Sequence, residues 1–288
     1  MQVGLALEGG AMRGMYTAGV LDVFLDESIR ADAAAGSSAG AIFGVNWVSG
    51  QRGRVIRYSK RFNADPRYMG LRSLLLTGNL VNTAYAYGTV PRELDPFDDT
   101  AFTRDGRPFW ASVTDVRTGE AAYIRIESVF GQMDALRASA SMPFVSRPVA
   151  IGSRLYLDGG IAAPVPWELL RREGCTRQIA VLTREAGYVK KPVSPALIRL
   201  CYRRYPALAA LLRRQHEVYR ETIKALEAAA ARGEVFLIRP SEPIAIARME
   251  KDPARLQRVY DLGVRDARAR LDALKGFLAA PSGAEKRR

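Results

Sequence analysis

The first fifty residues constrain the fold of this chain more than any other stretch. Residues 3–7 form a short apolar run that stops at Gly9 and Gly10, as a buried strand entering a loop does. Met15, Ala18, Val20, Leu21 and Phe24 then recur at helical spacing within residues 14–26, with Asp22, Asp26 and Glu27 falling mostly elsewhere around the turn. Residues 29–35 read as a second strand. Gly36-Ser37-Ser38-Ala39-Gly40 follows at once, and then an apolar helix over 41–48. Strand, glycine loop, helix, strand, tight turn, helix is the pattern of a parallel α/β sheet.

The rest of the chain extends that pattern. Residues 109–114 and 121–126 predict a hairpin around Arg117-Thr118-Gly119. Residues 154–157 predict a strand that ends in Asp158-Gly159-Gly160, and 178–183 another. Between those two, residues 166–173 predict a helix with Pro166 in its first turn. Residues 51–105 are harder to read; Asp95-Pro96-Phe97-Asp98-Asp99 suits a loop. Leu74-Leu75-Leu76 and two tyrosines within 71–91 suit either core packing or a lid over an acyl group. After residue 190 the chain turns Arg- and Ala-rich. A long or broken helix is expected over 195–231 around Pro206, a strand over 235–238 and a helix over 253–278. The expected organisation is a catalytic unit over 1–190 and a mostly helical C-terminal region over 191–288, with an unstructured tail at Glu285-Lys286-Arg287-Arg288.

Charge is the unusual part of the composition. The formal net charge is +13 and the pI about 10.0, which favours anionic partners without choosing among them. Cys175 and Cys201 stand outside any metal-binding spacing, so no metal site is expected, and they suit a reducing compartment. The N-terminus lacks the positive region of a signal peptide. The uncharged stretch over 33–50 approaches a membrane span in length, but its glycines, serines and Asn46 predict a buried turn and helix.

Three clusters carry chemistry. Gly36-Ser37-Ser38-Ala39-Gly40 fits G-x-S-x-G, in which a serine on a tight strand-to-helix turn projects its hydroxyl at a helix N-terminus. Gly9-Gly10-Ala11-Met12-Arg13-Gly14 is a loop whose backbone N–H groups suit an anion. That anion is either an acyl-transfer oxyanion or a cofactor pyrophosphate with Asp32 as the ribose-binding acid. The oxyanion reading accounts for both glycine clusters; the nucleotide reading leaves the serine turn unused. Asp158, at a strand end, is a candidate proton acceptor for Ser38. An aspartate is a poor base in water and needs a dry site. The single histidine, His216, lies in a basic helical run and reads as a surface or packing residue, not as the third member of a triad.

Together, these clusters resemble the patatin-like phospholipase family, whose pattern is G-G-G-x-[RK]-G, then G-x-S-x-G, then D-G-[GA]. Ala138-Ser139-Ala140-Ser141-Met142-Pro143 resembles the family's small-residue segment before the aspartate. The resemblance spans about residues 2–185. It implies a three-layer α/β/α fold with a mostly parallel sheet, a Ser38–Asp158 dyad, and no metal or organic cofactor. It also implies oxyanion donors at Gly9, Gly10 and Ala11, with Arg13 supporting the loop or an anionic product. Ala11 departs from the family's third glycine, and if that position needs φ > 0 the alanine costs on the order of 1 kcal/mol.

The expected function is hydrolysis of lipid acyl esters, phospholipase A- or lysophospholipase-like. The alternatives are a thioesterase or acyltransferase using the same dyad, or a nucleotide- or anion-binding module on the first glycine loop. The expected partner is a lipid or acyl-ester substrate, with no nucleic acid. The expected location is cytoplasmic, either free or peripheral to the inner face of the membrane. Arg52, Arg54, Arg57, Lys60 and Arg61, with the Arg-rich helices after Pro195, are the candidate contacts with an anionic membrane.

Overall fold

A computed structural model describes residues 2–280 of the chain; the C-terminal tail expected to be unstructured lies outside them. β1 (Gln2–Leu7) leads through a 3-10 turn (Ala11–Gly14) into α1 (Met15–Asp26), β2 (Ala33–Ser37) and α2 (Ala39–Val48). α3 (Arg54–Phe62), α4 (Leu71–Thr77), a π-helical segment (Tyr85–Leu94) and α5 (Asp99–Asp105) precede β3 (Phe109–Asp115) and β4 (Ala121–Arg125). Then come α6 (Met133–Ser139), β5 (Val149–Ile151), β6 (Arg154–Asp158), α7 (Trp167–Arg172) and β7 (Cys175–Val181). The chain continues through α8 (Pro195–Tyr202), α9 (Pro206–Ala231), β8 (Val235–Ile238), α10 (Pro253–Ala269) and α11 (Leu271–Ala279).

The eight strands form one sheet in the order β5-β6-β3-β2-β1-β7-β8, with β4 also on β3. From β3 to β8 the pairings are parallel; β4, β5 and β6 pair antiparallel. Alternation along the strands separates two faces. Leu5, Leu7, Ala34, Ile179 and Val181 join the core formed with α1, α2 and α10. Ala6, Ala33, Ala35 and Ala180 join the core under α7 and α9. A sheet covered on both faces needs apolar strands throughout, which is why β1 and β2 contain almost nothing polar. This is the expected three-layer arrangement. Among the described residues no helix is long and apolar enough to cross a membrane; the uncharged stretch over 33–50 is β2, the serine turn and α2.

Element boundaries differ from the sequence reading where polar groups intervene. β2 begins at Ala33, not residue 29, because the Asp32 carboxylate caps the start of β1 by accepting from Val3 N at 2.6 Å. β7 begins at Cys175 because its lead-in pairs with Gln2. The helix expected over 253–278 is two helices that meet at Arg270. Pro206, which has no N–H to donate, starts α9 after a break. The boundary expected near residue 190 falls in the loop between β7 and α8; beyond it, β8 pairs parallel with β7 and α10 packs on α1. That helix pair touches backbone to backbone: a Cβ on Gly263 would lie 2.1 Å from Tyr16 O, and one on Gly19 2.2 Å from Tyr260 O. Asp22 reinforces the contact by accepting from Tyr260 Oη at 2.7 Å.

Candidate active site

The sheet register brings Ser38 and Asp158 together. Ser37, the last residue of β2, lies opposite Ser112 of β3. Asp158, the last residue of β6, lies opposite the next residue, Val113. β4 occupies the other edge of β3 at the same level, pairing with both Ser112 and Val113. β2 and β6 therefore share one edge of β3 and run head to head, and their C-terminal residues meet. The Ser38 hydroxyl donates to Asp158 Oδ2 at 2.7 Å.

The serine is held in an uncommon conformation, φ 53° and ψ −122°, of the kind that costs about 1–3 kcal/mol and persists only when neighbours enforce it. Small residues make that possible. A Cβ at Gly36 would lie 2.4 Å from Gly40 C, and one at Gly40 would lie 2.5 Å from Leu7 O. Ser38 N donates to Ser139 Oγ at 3.0 Å. Ser141 O accepts from Asp158 N at 2.9 Å. The small-residue segment at the end of α6 thus anchors both partners. Its serines were legible as part of a motif, but their anchoring role was not, since no local pattern shows what they bond.

Asp158 is buried, and its second oxygen accepts from Gly160 N at 2.7 Å. Burial pushes its carboxyl up to about 6, against the stabilising bonds from Ser38 and Gly160 and the more distant charges of Lys190 and Arg248. A hydroxyl bonded to a buried carboxylate of that basicity can pass its proton along the bond. His216 lies on α9, its Nδ1 buried without a partner among the described residues, and it lines neither cavity that reaches Ser38.

The first glycine loop lies against the serine turn: a Cβ on Gly9 would stand 2.9 Å from that of Ser38. Ala11 has φ 49°, so the alanine does occupy a left-handed position. The amides of the loop are engaged unequally. Gly9 N donates to Pro164 O at 3.3 Å, and Met12 N to Arg248 O at 3.2 Å. The amides of Gly10 and Ala11 have no partner among the described residues. Glu8 braces the loop, accepting from Thr183 N at 2.5 Å; burial pushes its carboxyl up.

Two cavities meet at Ser38 and Ala11. One, of about 130 Å³, is apolar, with Ile42, Phe43, Tyr87, Val90 and Leu136 among its walls. The other, of about 550 Å³, holds Asp158, Arg13, Arg184, Lys190 and Arg248. Segment 71–91 divides between the readings it allowed. Its second half lines the apolar cavity, whereas Leu71, Leu75 and Leu76 of α4 project into solvent. The basic stretch at 52–61 is not a free face. Arg54 is buried, and Arg54 and Arg57 both pair with Asp95, while Arg52 pairs with Asp26. Asp32, the acid needed by the nucleotide reading, lies at the opposite end of β1 from the glycine loop and is bonded to Val3. Among the described residues no cluster of His, Cys, Asp and Glu could hold a metal ion.

A family model for patatin-like phospholipases matches residues 5–171. The chain belongs to the patatin-like phospholipase family. That family's members are lipid acyl hydrolases, and the serine turn, the glycine loop and Asp158 all fall within the matched span. A second match, over residues 205–279, is to a domain of unknown function. The uncharacterized protein YjjU of Escherichia coli is 25% identical over 269 residues, covering 91% of this chain and 75% of the relative. The uncharacterized NTE family protein Rv2565 of Mycobacterium tuberculosis is 29% identical over 166 residues, covering 57% of this chain. The chain spans only 27% of that relative's length. VipD from Legionella pneumophila superposes with a TM-score of 0.45 at 13% identity, covering 94% of this chain and 67% of that one.

Proposed function

We propose that this chain is a serine hydrolase of lipid acyl esters, with Ser38 as nucleophile and Asp158 as the general base. The observation that carries this reading is the 2.7 Å bond between Ser38 Oγ and a buried Asp158, placed where the two cavities meet. In the first step Ser38 Oγ attacks the ester carbonyl and its proton passes to Asp158 Oδ2. The resulting oxyanion takes hydrogen bonds from the Gly10 and Ala11 amides. Collapse breaks the ester C–O bond, and the departing alkoxide recovers the proton from Asp158. Water then repeats the sequence on the acyl-enzyme, releasing a fatty acid and restoring Ser38. The apolar cavity takes the acyl chain and the polar cavity takes the alcohol portion. Asp32's position at the far end of β1 weighs against the nucleotide-binding alternative.

Contact with an anionic lipid surface belongs to the same reading, but through a different face from residues 52–61. Leu75 and Leu76 of α4 are 85% and 73% exposed, and Leu200 of α8 is 76% exposed. Between Asp65 and Glu93, and again between Glu185 and Glu217, the sequence has no acidic residue. The strap at 143–145 that lines the polar cavity is bonded to the loop after α4 and to the end of α8: Leu80 N donates to Val145 O, and Phe144 N donates to Tyr202 Oη. Apolar side chains set among unopposed cations suit an anionic bilayer interface.

The test is hydrolysis of p-nitrophenyl butyrate by wild type and by Ser38→Ala, Asp158→Ala and His216→Ala, with fluorophosphonate labelling of the serine. Activity and labelling lost in Ser38→Ala, activity lost in Asp158→Ala, and both kept in His216→Ala is the expected result. Equal loss in His216→Ala, with the variant folded, would restore a triad and overturn the dyad.

A further inference from the structure

We propose that Arg184, Lys190 and Arg248 join Arg13 in a site for a phosphate group on the leaving-group side of Ser38, so that the enzyme prefers acyl esters whose alcohol portion carries net negative charge. The inference rests on Ser38 as the nucleophile and adds the substrate class.

All four cations line the cavity that contains Ser38 and Asp158, and none lines the apolar one. Some arginines elsewhere in the chain pair with carboxylates, as in Arg52–Asp26, Arg107–Asp105 and Arg239–Glu227. These four make no ion pair among the described residues, and Arg13 Nε is buried without a hydrogen-bond acceptor. The acids that line this cavity, Glu8 and Asp158, are both buried and bonded to other groups. Burial, then Arg184 and Arg248, bring Arg13 down to about 10. Burial brings Lys190 down to about 8 against the pull of Glu8 and Asp158, with Arg248 and Arg13 adding to the fall.

Arg13, Arg184 and Lys190 are partly buried and Arg248 is exposed; unpaired cations gathered around a partly desolvated pocket are unfavourable unless an anion joins them. The ring faces of Tyr188 and Tyr219 hold two of them in place: Arg184 Cζ stands 3.9 Å from the centroid of Tyr188, and Lys190 Nζ 5.2 Å from that of Tyr219. A phosphate monoester matches the surplus of positive charge. A zwitterionic headgroup would bring a cation of its own into the cluster. Arg184, Lys190 and Arg248 all lie outside the span matched by the family, residues 5–171, so this preference is a property of the present chain's later segments.

The experiment compares kcat/KM for dihexanoyl phosphatidic acid and dihexanoyl phosphatidylcholine, both kept monomeric so that vesicle binding plays no part. Wild type is expected to favour the phosphatidic acid at least tenfold. Arg248→Ala and Arg184→Ala should cut that ratio severalfold, mainly through KM, and Arg248→Lys should restore much of it. Calorimetry of inorganic phosphate with Ser38→Ala and with Ser38→Ala/Arg248→Ala reads the site without turnover, and at least a tenfold weaker Kd is expected in the double variant. Wild-type selectivity within twofold, or a loss in the arginine variants that is equal for both substrates, would overturn the proposal. Phosphate binding that depends on Arg248, in a protein that hydrolyses no ester, would keep the anion site and reject the hydrolase reading. Phosphate binding unaffected by Arg248→Ala would reject the site even in an active esterase.

Discussion

Replacing Asp158 with asparagine separates the proton-accepting role of this residue from its shape. The side chain keeps an oxygen to receive the Ser38 hydroxyl but can no longer take up its proton, so hydrolysis should fall by about a thousandfold or more. Stability should move the other way. The carboxyl stands at about 6 in the folded chain against an ordinary 3.8. Folded protein therefore holds this proton more tightly than unfolded protein. The favourable contribution is fully present below pH 3.8 and is lost as pH rises through about 6. At pH 8 the wild type carries a buried charge that costs up to about 3 kcal/mol, the equivalent of that difference in proton affinity. The variant lacks that charge but sets an amide NH2 against Gly160 N–H, a cost that does not vary with pH, so its Tm relative to wild type should stand several degrees higher at pH 8 than at pH 4. The same titration sets the acid limb of wild-type activity. About nine in ten Asp158 carboxyls are ionised at pH 7 and about one in ten at pH 5, so kcat/KM should drop roughly tenfold across that interval. Paired melting curves and a pH–rate profile read both effects. A Tm gap that does not change with pH, or an activity limb near pH 4, would refute the claim that burial governs this carboxyl.

Ser139→Ala removes the acceptor of the Ser38 amide; a loss of about 1–3 kcal/mol in urea unfolding and a tenfold or greater loss of kcat with little change in KM are expected. Ala11→Gly relieves the φ 49° alanine, so activity should be kept or raised and unfolding free energy should shift by no more than about 1 kcal/mol, whereas Ala11→Val should destabilise. Ala86→Trp places a large ring in the apolar cavity; the ratio of kcat/KM for long over short p-nitrophenyl esters should fall at least tenfold.

The parts legible in the sequence share one property: their signal is local. The run 3–7, the Gly36–Gly40 spacing and the strand before Asp158 each show within a few residues what they become, because strand burial and tight turns are set by neighbours in the chain. Residues 52–61 show the opposite. Arg54 reads as a surface cation, yet it lies buried between Asn46 and Asp95, bonded to Asn46 Oδ1 and to the Asp95 backbone. Nothing within its own segment announces an acid 41 residues away. Residues 71–94 hide their structure for another reason. Their apolar side chains serve a cavity, a core and an exposed face, so no single period appears, and the π-helical turn with Pro91 inside it breaks helical spacing. The cation cluster comes from three separate stretches, and only the fold brings Arg13, Lys190 and Arg248 into one cavity.

The order of the strands has a consequence for any attempt to shorten this protein. The family match stops at residue 171, just before β7, the strand that lies between β1 and β8. A chain cut there would leave β1 with a bare row of N–H and C=O groups along one side, open to pairing with another molecule. The glycine loop would lose the Arg248 carbonyl that receives Met12 N and the Thr183 amide that holds Glu8. Such a fragment would contain Ser38, Asp158 and the glycine loop and should be recovered as aggregate.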